Sequence, residues 1–248
     1  MSLEPILILP DCHVPYHDRR AWELALKVGQ AIKCKHIIHL GDLADCYSVS
    51  SHSKNPTRAS ERRMKFEIES VRAAVREMNS LGATNKVFIE GNHEDRLPRY
   101  LADKAPELYD LDALQIPQLF GLQGWVHRRY REDYKIGKLY AVHDIGYAGR
   151  YAAQRVLDTY QHNVVSGHTH RLSYIVEGNA AGESHLSAVL GWLGDAKSAD
   201  YMHRVKAMKD WQLAFGVAWL TPKTGVVHVQ PVPIVGYRCV VGGKEYSA

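Results

Sequence analysis

Residues 6–13 read Ile-Leu-Ile-Leu-Pro-Asp-Cys-His, an apolar run typical of a buried β-strand that leads into a carboxylate and an imidazole. Four later stretches repeat this arrangement: 37–40 before Gly41-Asp42, 87–89 before Gly91-Asn92-His93-Glu94, 139–142 before His143, and 164–165 before Gly167-His168-Thr169-His170. The ends of such strands are predicted to converge on one edge of the fold. Because all five motifs contain residue types that bind metal ions, the sequence predicts a site for more than one metal ion.

Helical patterns separate these strands along the first two thirds of the chain. Apolar periodicity predicts helices over 21–32, about 60–81 and 151–160. The last third is richer in strands, which are predicted over 172–176, 184–190, 213–220 and 226–231. This order of elements predicts an α/β sandwich in which these consecutive late strands form a largely antiparallel second sheet.

The chain is expected to form one domain over residues 1–248, since this length is sufficient for one well-buried core. Within it, Pro98, Pro106 and Pro117 interrupt the segment 97–134. This segment is predicted to consist of short helices and loops that cap the site as an insertion in the domain.

Composition narrows the class of protein further. A net charge of +4 permits a phosphate-bearing partner without requiring nucleic acid. The four Cys have no C-x-x-C spacing, and no apolar run has the length of about 20 residues that a membrane span needs. We therefore expect a cytoplasmic protein with no signal peptide and no membrane partner, for which a homo-oligomer is compatible with the sequence. Neither the dinucleotide-binding G-x-G-x-x-G pattern nor the P-loop pattern is present.

The ligand types indicate which metals the site would take. Asp, His and Asn without a pair of thiolates suit Mn, Fe, Zn, Ni or Co better than a structural zinc, and Mn is the metal we expect first. Two divalent ions about 3.5–4 Å apart can share a carboxylate and bind the oxygens of a phosphate. Because Asp11 and Asp42 offset only part of the charge of two such ions, an anionic phosphate ester is the expected substrate.

The ordered motifs D-x-H, G-D-x-x-D, G-N-H-E, H and G-H-x-H, which run from Asp11 to His170, resemble the calcineurin-like metallophosphoesterase superfamily. Together with Arg96 and the late Trp211-Gln212 and Phe215-Gly216 elements, they look like the small members from bacteriophages and bacteria. The resemblance implies a four-layer α/β/β/α sandwich with two mixed sheets and the site at the carboxyl ends of the strands. It also implies a bacterial or phage-infected bacterial cytoplasm.

The same resemblance implies a role for each motif residue. One metal would be bound by Asp11, His13 and His170, the other by Asn92, His143 and His168, with Asp42 bridging the two. His93 would stabilise the phosphate or protonate the leaving oxygen, and Asp45 would orient His93. The attacking group would be a hydroxide held by the metals, so no covalent nucleophile is needed.

Departures from the family pattern narrow the subclass. Protein Ser/Thr phosphatases of the superfamily carry two phosphate-binding Arg where this chain has Cys46 and Glu90, and relatives often have Gly where this chain has Asp144. Arg96 and Arg171 lie beside metal motifs and are predicted to contact the substrate in place of the missing pair.

The motifs and their departures from the family pattern leave three functions open. A dinuclear phosphodiesterase acting on nucleotides or nucleic acid is preferred, with nuclease activity as a sub-hypothesis. A phosphomonoesterase acting on a small molecule or a phosphoprotein is the alternative, because G-N-H-E also occurs in phosphatases. A scaffold that has lost catalysis would lack ligands or His93, and all eight residues are present.

Overall fold

Two mixed β-sheets lie at the centre of the computed structural model, which describes residues 2–50, 63–198 and 210–248. The strands are β1 (Glu4–Leu9), β2 (His36–His39), β3 (Asn85–Ile89), β4 (Val126–Arg128), β5 (Tyr134–Ile136), β6 (Leu139–Val142), β7 (Asn163–Ser166), β8 (Leu172–Gly178), β9 (Ser184–Leu190), β10 (Ala214–Thr221), β11 (Val226–Pro233), β12 (Arg238–Val241) and β13 (Lys244–Ser247). The α-helices are α1 (Arg19–Ala31), α2 (Met64–Ser80), α3 (Arg96–Lys104), α4 (Ile116–Phe120) and α5 (Ala152–Tyr160).

The first sheet has the strand order β11-β10-β1-β2-β3-β4, and the second has β5-β6-β7-β9-β8. In the first sheet β1 to β4 run parallel, whereas β10 and β11 are antiparallel additions. In the second sheet β6, β7 and β9 run parallel, and β5 and β8 pair antiparallel at its edges. Both sheets are therefore mixed, as expected.

Two details of the predicted topology are wrong. The strands over 213–220 and 226–231 were expected in the second sheet, but β10 pairs with β1 in the first, with Pro5 opposite Trp219. The second sheet is also not largely antiparallel, because β6, β7 and β9 are parallel. The pairing of β12 with β13 in a C-terminal hairpin was not anticipated.

Side chains on the two faces of the first sheet are buried in different cores, which defines the layers of the sandwich. Alternate residues of β1, Ile6 and Ile8, pack between the two sheets with residues such as Leu139 and Leu190. Leu7 and Leu9 point the other way, into the core beneath α1 and α2. On the outer face of the second sheet, Val156 of α5 packs on β6 and β7. The fold is thus the expected α/β/β/α sandwich.

Helix α1 illustrates how local sequence sets these layers. Asp18 caps it by accepting the Ala21 N–H at 3.0 Å. Its buried side includes Trp22 and Val28, and the Trp22 Nε1–H donates to Glu77 of α2 at 2.6 Å. The two helices are therefore fixed to each other as well as to the sheet.

The segment 97–134 contributes to the first sheet and to its helical layer. Ile116 and Phe120 of α4 are buried in the same core as Trp22, and β4 extends the sheet beside β3. The predicted role of this segment as a cap stays a prediction. No helix in the described parts of the chain combines the length and the apolar character that crossing a membrane requires.

Candidate metal centre

The five motifs follow parallel strands of both sheets. The candidate ligands come after β1 (Asp11, His13), β2 (Asp42), β3 (Asn92), β6 (His143) and β7 (His168, His170). Parallel strands present their carboxyl ends at one edge of a sheet, and here the corresponding edges of the two sheets meet. This placement explains how residues up to 157 positions apart along the chain come into contact.

A first cluster consists of Asp11, His13, Asp42 and His170, whose donor atoms all lie within 4.8 Å of one another. The His13 Nε2 and His170 Nε2 atoms are 3.0 Å apart, and His170 Nε2 is 3.6 Å from Asp11 Oδ1. All four side chains are buried, Asp11 completely. Two carboxylates and two largely buried imidazoles therefore face one small space.

A second cluster consists of Asp42, His143 and His168, again within 4.8 Å. The Oδ1 atom of Asn92 joins them, at 3.0 Å from His143 Nε2 and 2.8 Å from His168 Nδ1. His143 Nε2 also lies 3.5 Å from Asp42 Oδ2. Asp42 is thus common to both clusters.

The electrostatics of this centre fit divalent cations. Burial alone would lower the pKa of His143, but the carboxylates, led by Asp42 and Asp11, raise it to about 9. The potential at this position is therefore strongly negative. Carboxylate and amide oxygens with imidazole nitrogens form a donor set that suits Mn, Fe, Zn or Co. The residues present can accordingly hold metal ions in both clusters.

The backbone at the centre is held in a sparsely populated conformation. His13, Asp42, His168 and His170 all have positive φ, between 47° and 70°. Such angles are uncommon for residues other than glycine and persist where the surrounding structure enforces them, often at functional sites. Four of the seven candidate ligands are presented in this way.

Asp45 lies beneath both His13 and His93. Its Oδ1 atom is 3.2 Å from His13 Nδ1 and 3.1 Å from His93 Nδ1, so it contacts a candidate ligand as well as the predicted general acid. Burial disfavours the charged form of His93, but the carboxylates of Asp42 and Asp45 outweigh it and raise the pKa of His93. His13, Asp45 and His93 also form a third group of potential metal donors.

Sequence comparison agrees with this geometry. The model of the calcineurin-like phosphoesterases matches residues 4–220. The chain belongs to this family. It is 27% identical to the Gene 54 protein of Mycobacterium phage L5 and 28% identical to that of phage D29, and each alignment covers 98% of both chains. The structure of Vacuolar Protein Sorting 29 from Cryptosporidium parvum is similar in fold, with a TM-score of 0.52, 14% identity and full coverage of both chains.

The two predicted substrate contacts, Arg96 and Arg171, occupy different positions. Arg96 donates to the backbone oxygen of Asp45 at 2.8 Å and to His93 Nε2 at 2.9 Å. Arg171 instead donates to Asp210 at 2.8 Å and to the backbone oxygen of Ala148 at 3.2 Å. Arg96 is therefore in direct contact with the candidate general acid, whereas the donors of Arg171 point to other partners.

His39 is the buried, hydrogen-bonded core residue that its strand position predicts. The Gly41 N–H donates to His39 Nδ1 at 3.2 Å, and Cys12 Sγ lies 3.4 Å from its Nε2. Burial lowers its pKa to about 3, so the ring is neutral. His39 and Cys12 thus pack beneath the clusters as uncharged side chains.

Sequence reasoning missed the role of the Glu94 carboxylate. It accepts the N–H groups of Asp42 at 2.9 Å, Ala44 at 2.8 Å and Gly91 at 2.8 Å, and so ties the loop after β2 to the turn after β3. A Cβ atom on Gly91 would overlap the Asp42 carboxylate, so only glycine permits this approach. The feature of the sequence that could have indicated this role is the position of Glu94 directly after Asn92-His93.

Replacing Glu94 with Gln should destabilise the metal-free protein by about 1–3 kcal/mol, because either orientation of the amide turns an NH₂ group towards a buried backbone N–H. Burial, followed by the Asp42 carboxylate, raises the pKa of Glu94 to about 7, so urea unfolding is measured well above that pH. The control is Glu107→Gln at an exposed position, with an expected effect below about 0.5 kcal/mol. Equal stabilities of the two variants would contradict the bridging role.

Proposed function

We propose that this protein is a dinuclear metal-dependent phosphoesterase whose preferred substrates are phosphodiesters of nucleotides or nucleic acid. The observation that supports it most directly is the position of Asp42 in both clusters of donor atoms. A carboxylate shared by two such clusters is what a pair of adjacent ions requires. Family membership makes a phosphoester the expected class of substrate.

In this proposal the chain divides its ligands between two ions. Asp11, His13 and His170 would hold one ion, Asn92, His143 and His168 would hold the second ion, and Asp42 would contribute to both. When bound, the two ions would supply an activated water and neutralise the charge on the phosphate oxygens. Manganese is the first candidate, with Fe, Zn, Ni and Co as alternatives.

His93 transfers the proton in this scheme. Asp45 fixes the Nδ1 side of its ring, and Nε2 lies 3.8 Å from Asp42 Oδ2, next to both clusters. Because a guanidinium has no acceptor, the contact of Arg96 with Nε2 is a donation from Arg96. When Arg96 donates to a substrate phosphate instead, Nε2 is released and takes up a proton from water, which the carboxylates of Asp42 and Asp45 favour. The resulting imidazolium gives this proton to the leaving oxygen and returns to the neutral form.

The preference for a diester rests on charge. A phosphomonoester carries close to two negative charges at neutral pH, whereas a diester carries one. Protein phosphatases of the family have Arg at two positions that this chain fills with Cys46 and Glu90. Cys46 is buried, and Glu90 Oε1 lies 2.8 Å from His127 Nε2. Neither of these two positions supplies positive charge, and Arg171 donates to other partners. Arg96 is then the one guanidinium that the proposal places on the phosphate, which suits a monoanion better than a dianion.

The substrate class is tested with protein that has been stripped of metal and reloaded with Mn²⁺. Hydrolysis of bis-p-nitrophenyl phosphate should be faster than that of p-nitrophenyl phosphate, and Asp42→Ala should abolish both activities because it removes the bridge. Faster hydrolysis of the monoester would favour the phosphomonoesterase alternative. No hydrolysis of either ester with Mn²⁺, Ni²⁺ or Co²⁺ would contradict an enzymatic function.

The role of His93 is tested by His93→Ala. Turnover of the diester should fall about 100-fold or more, the scale of a lost general acid, while the metal content per chain stays unchanged. The matched control is His162→Ala at an exposed position, which should change neither quantity. Loss of metal from His93→Ala would instead place an ion in the group of His13, Asp45 and His93.

A further inference from the structure

The side chain of Asp144 is not explained by the roles described so far. It is 5% exposed, and its Oδ1 atom accepts the Gly146 N–H at 2.5 Å, which forms the turn after β6. Its Oδ2 atom is buried and has no hydrogen-bond partner in the described structure. A buried carboxylate oxygen that accepts no hydrogen bond costs free energy, which a bound cation would offset.

This Oδ2 atom faces the second cluster. Asp144 Oδ2 lies 3.8 Å from His143 Nε2 and 3.8 Å from His168 Nδ1. These two nitrogens are the same ones that face Asn92 Oδ1. Asp144 therefore adds a carboxylate oxygen to the space that the second cluster encloses.

The turn after β6 does not require a carboxylate. Its hydrogen bond uses only one acceptor oxygen, which an asparagine provides equally well. The second oxygen is the feature that distinguishes aspartate here, and it is the atom that faces the cluster. The position at which relatives often have glycine is thus occupied by a potential ligand.

We propose that Asp144 is an additional oxygen ligand of the second ion, alongside Asp42, Asn92, His143 and His168. This inference rests on the proposed two-metal function. The second cluster then has three ligand oxygens from two carboxylates and one amide, whereas the first has two carboxylate oxygens with two imidazoles. An oxygen-rich set favours hard cations, so the second position is predicted to select Mn²⁺ over softer ions.

The test is Asp144→Asn, which keeps the acceptor for Gly146 and replaces the oxygen that faces the cluster with an NH₂ group. Mn²⁺ binding is measured by the electron paramagnetic resonance signal of free Mn²⁺ during titration. In a His170→Ala background, which impairs the first cluster, Asp144→Asn should raise the dissociation constant of the remaining ion about 10- to 100-fold. In a His168→Ala background, which impairs the second cluster, the change should be less than about threefold. The surface variant Asp158→Asn is the charge-matched control in both backgrounds.

The outcomes separate this inference from the proposed function. Two Mn²⁺ per wild-type chain, with unchanged affinity in Asp144→Asn, would overturn the inference and leave the two-metal function intact. Equal weakening in both backgrounds would show an effect on the whole centre, and it would also overturn the assignment to the second ion. Binding of fewer than two Mn²⁺ by the wild-type chain would contradict the two-metal function itself.

Discussion

The carboxylate of Asp42 is the group on which the arrangement of the centre depends. Asp42 follows β2 and has a φ angle of 47°. Its backbone N–H donates to Glu94, and its Oδ1 atom accepts the backbone N–H of His93. Its Oδ2 lies 3.5 Å from His143, which comes from the other sheet, and 3.9 Å from His13. The edges of both sheets therefore meet around one buried negative charge, carried by a residue in a sparsely populated backbone conformation.

This concentration of buried carboxylates has an energetic consequence. Asp11, Asp42, Asp45 and Asp144 are all buried at one edge of the sandwich, and the neighbouring imidazoles balance their charge only in part. Cations bound there would offset the remaining negative charge and so stabilise the folded protein. Metal affinity and folding stability are therefore linked. Glu94 and Asp45 matter in this respect because their hydrogen bonds position the candidate ligands independently of any ion.

The sequence alone was sufficient for the parts of the structure that are encoded locally. Each candidate ligand follows an apolar run, so its position at a strand end could be predicted, and the order of the motifs identified the fold. The partner of β10 could not be predicted, because antiparallel pairing with β1 is a contact between residues such as Pro5 and Trp219, far apart in the chain. The second contact of Asp45, with His13, depends on three-dimensional proximity in the same way. Asp144 departs from the family pattern at the level of sequence, but the position of its Oδ2 atom beside His168 depends on the fold.

The central claim is that one carboxylate serves two adjacent metal ions. The most direct measurement is a crystal structure of the Mn²⁺-loaded protein with anomalous diffraction data collected near the manganese absorption edge. The account predicts two anomalous peaks about 3.5–4 Å apart, one on each side of Asp42. A single peak, or a peak enclosed by His13, Asp45 and His93 in place of one of the two, would contradict it.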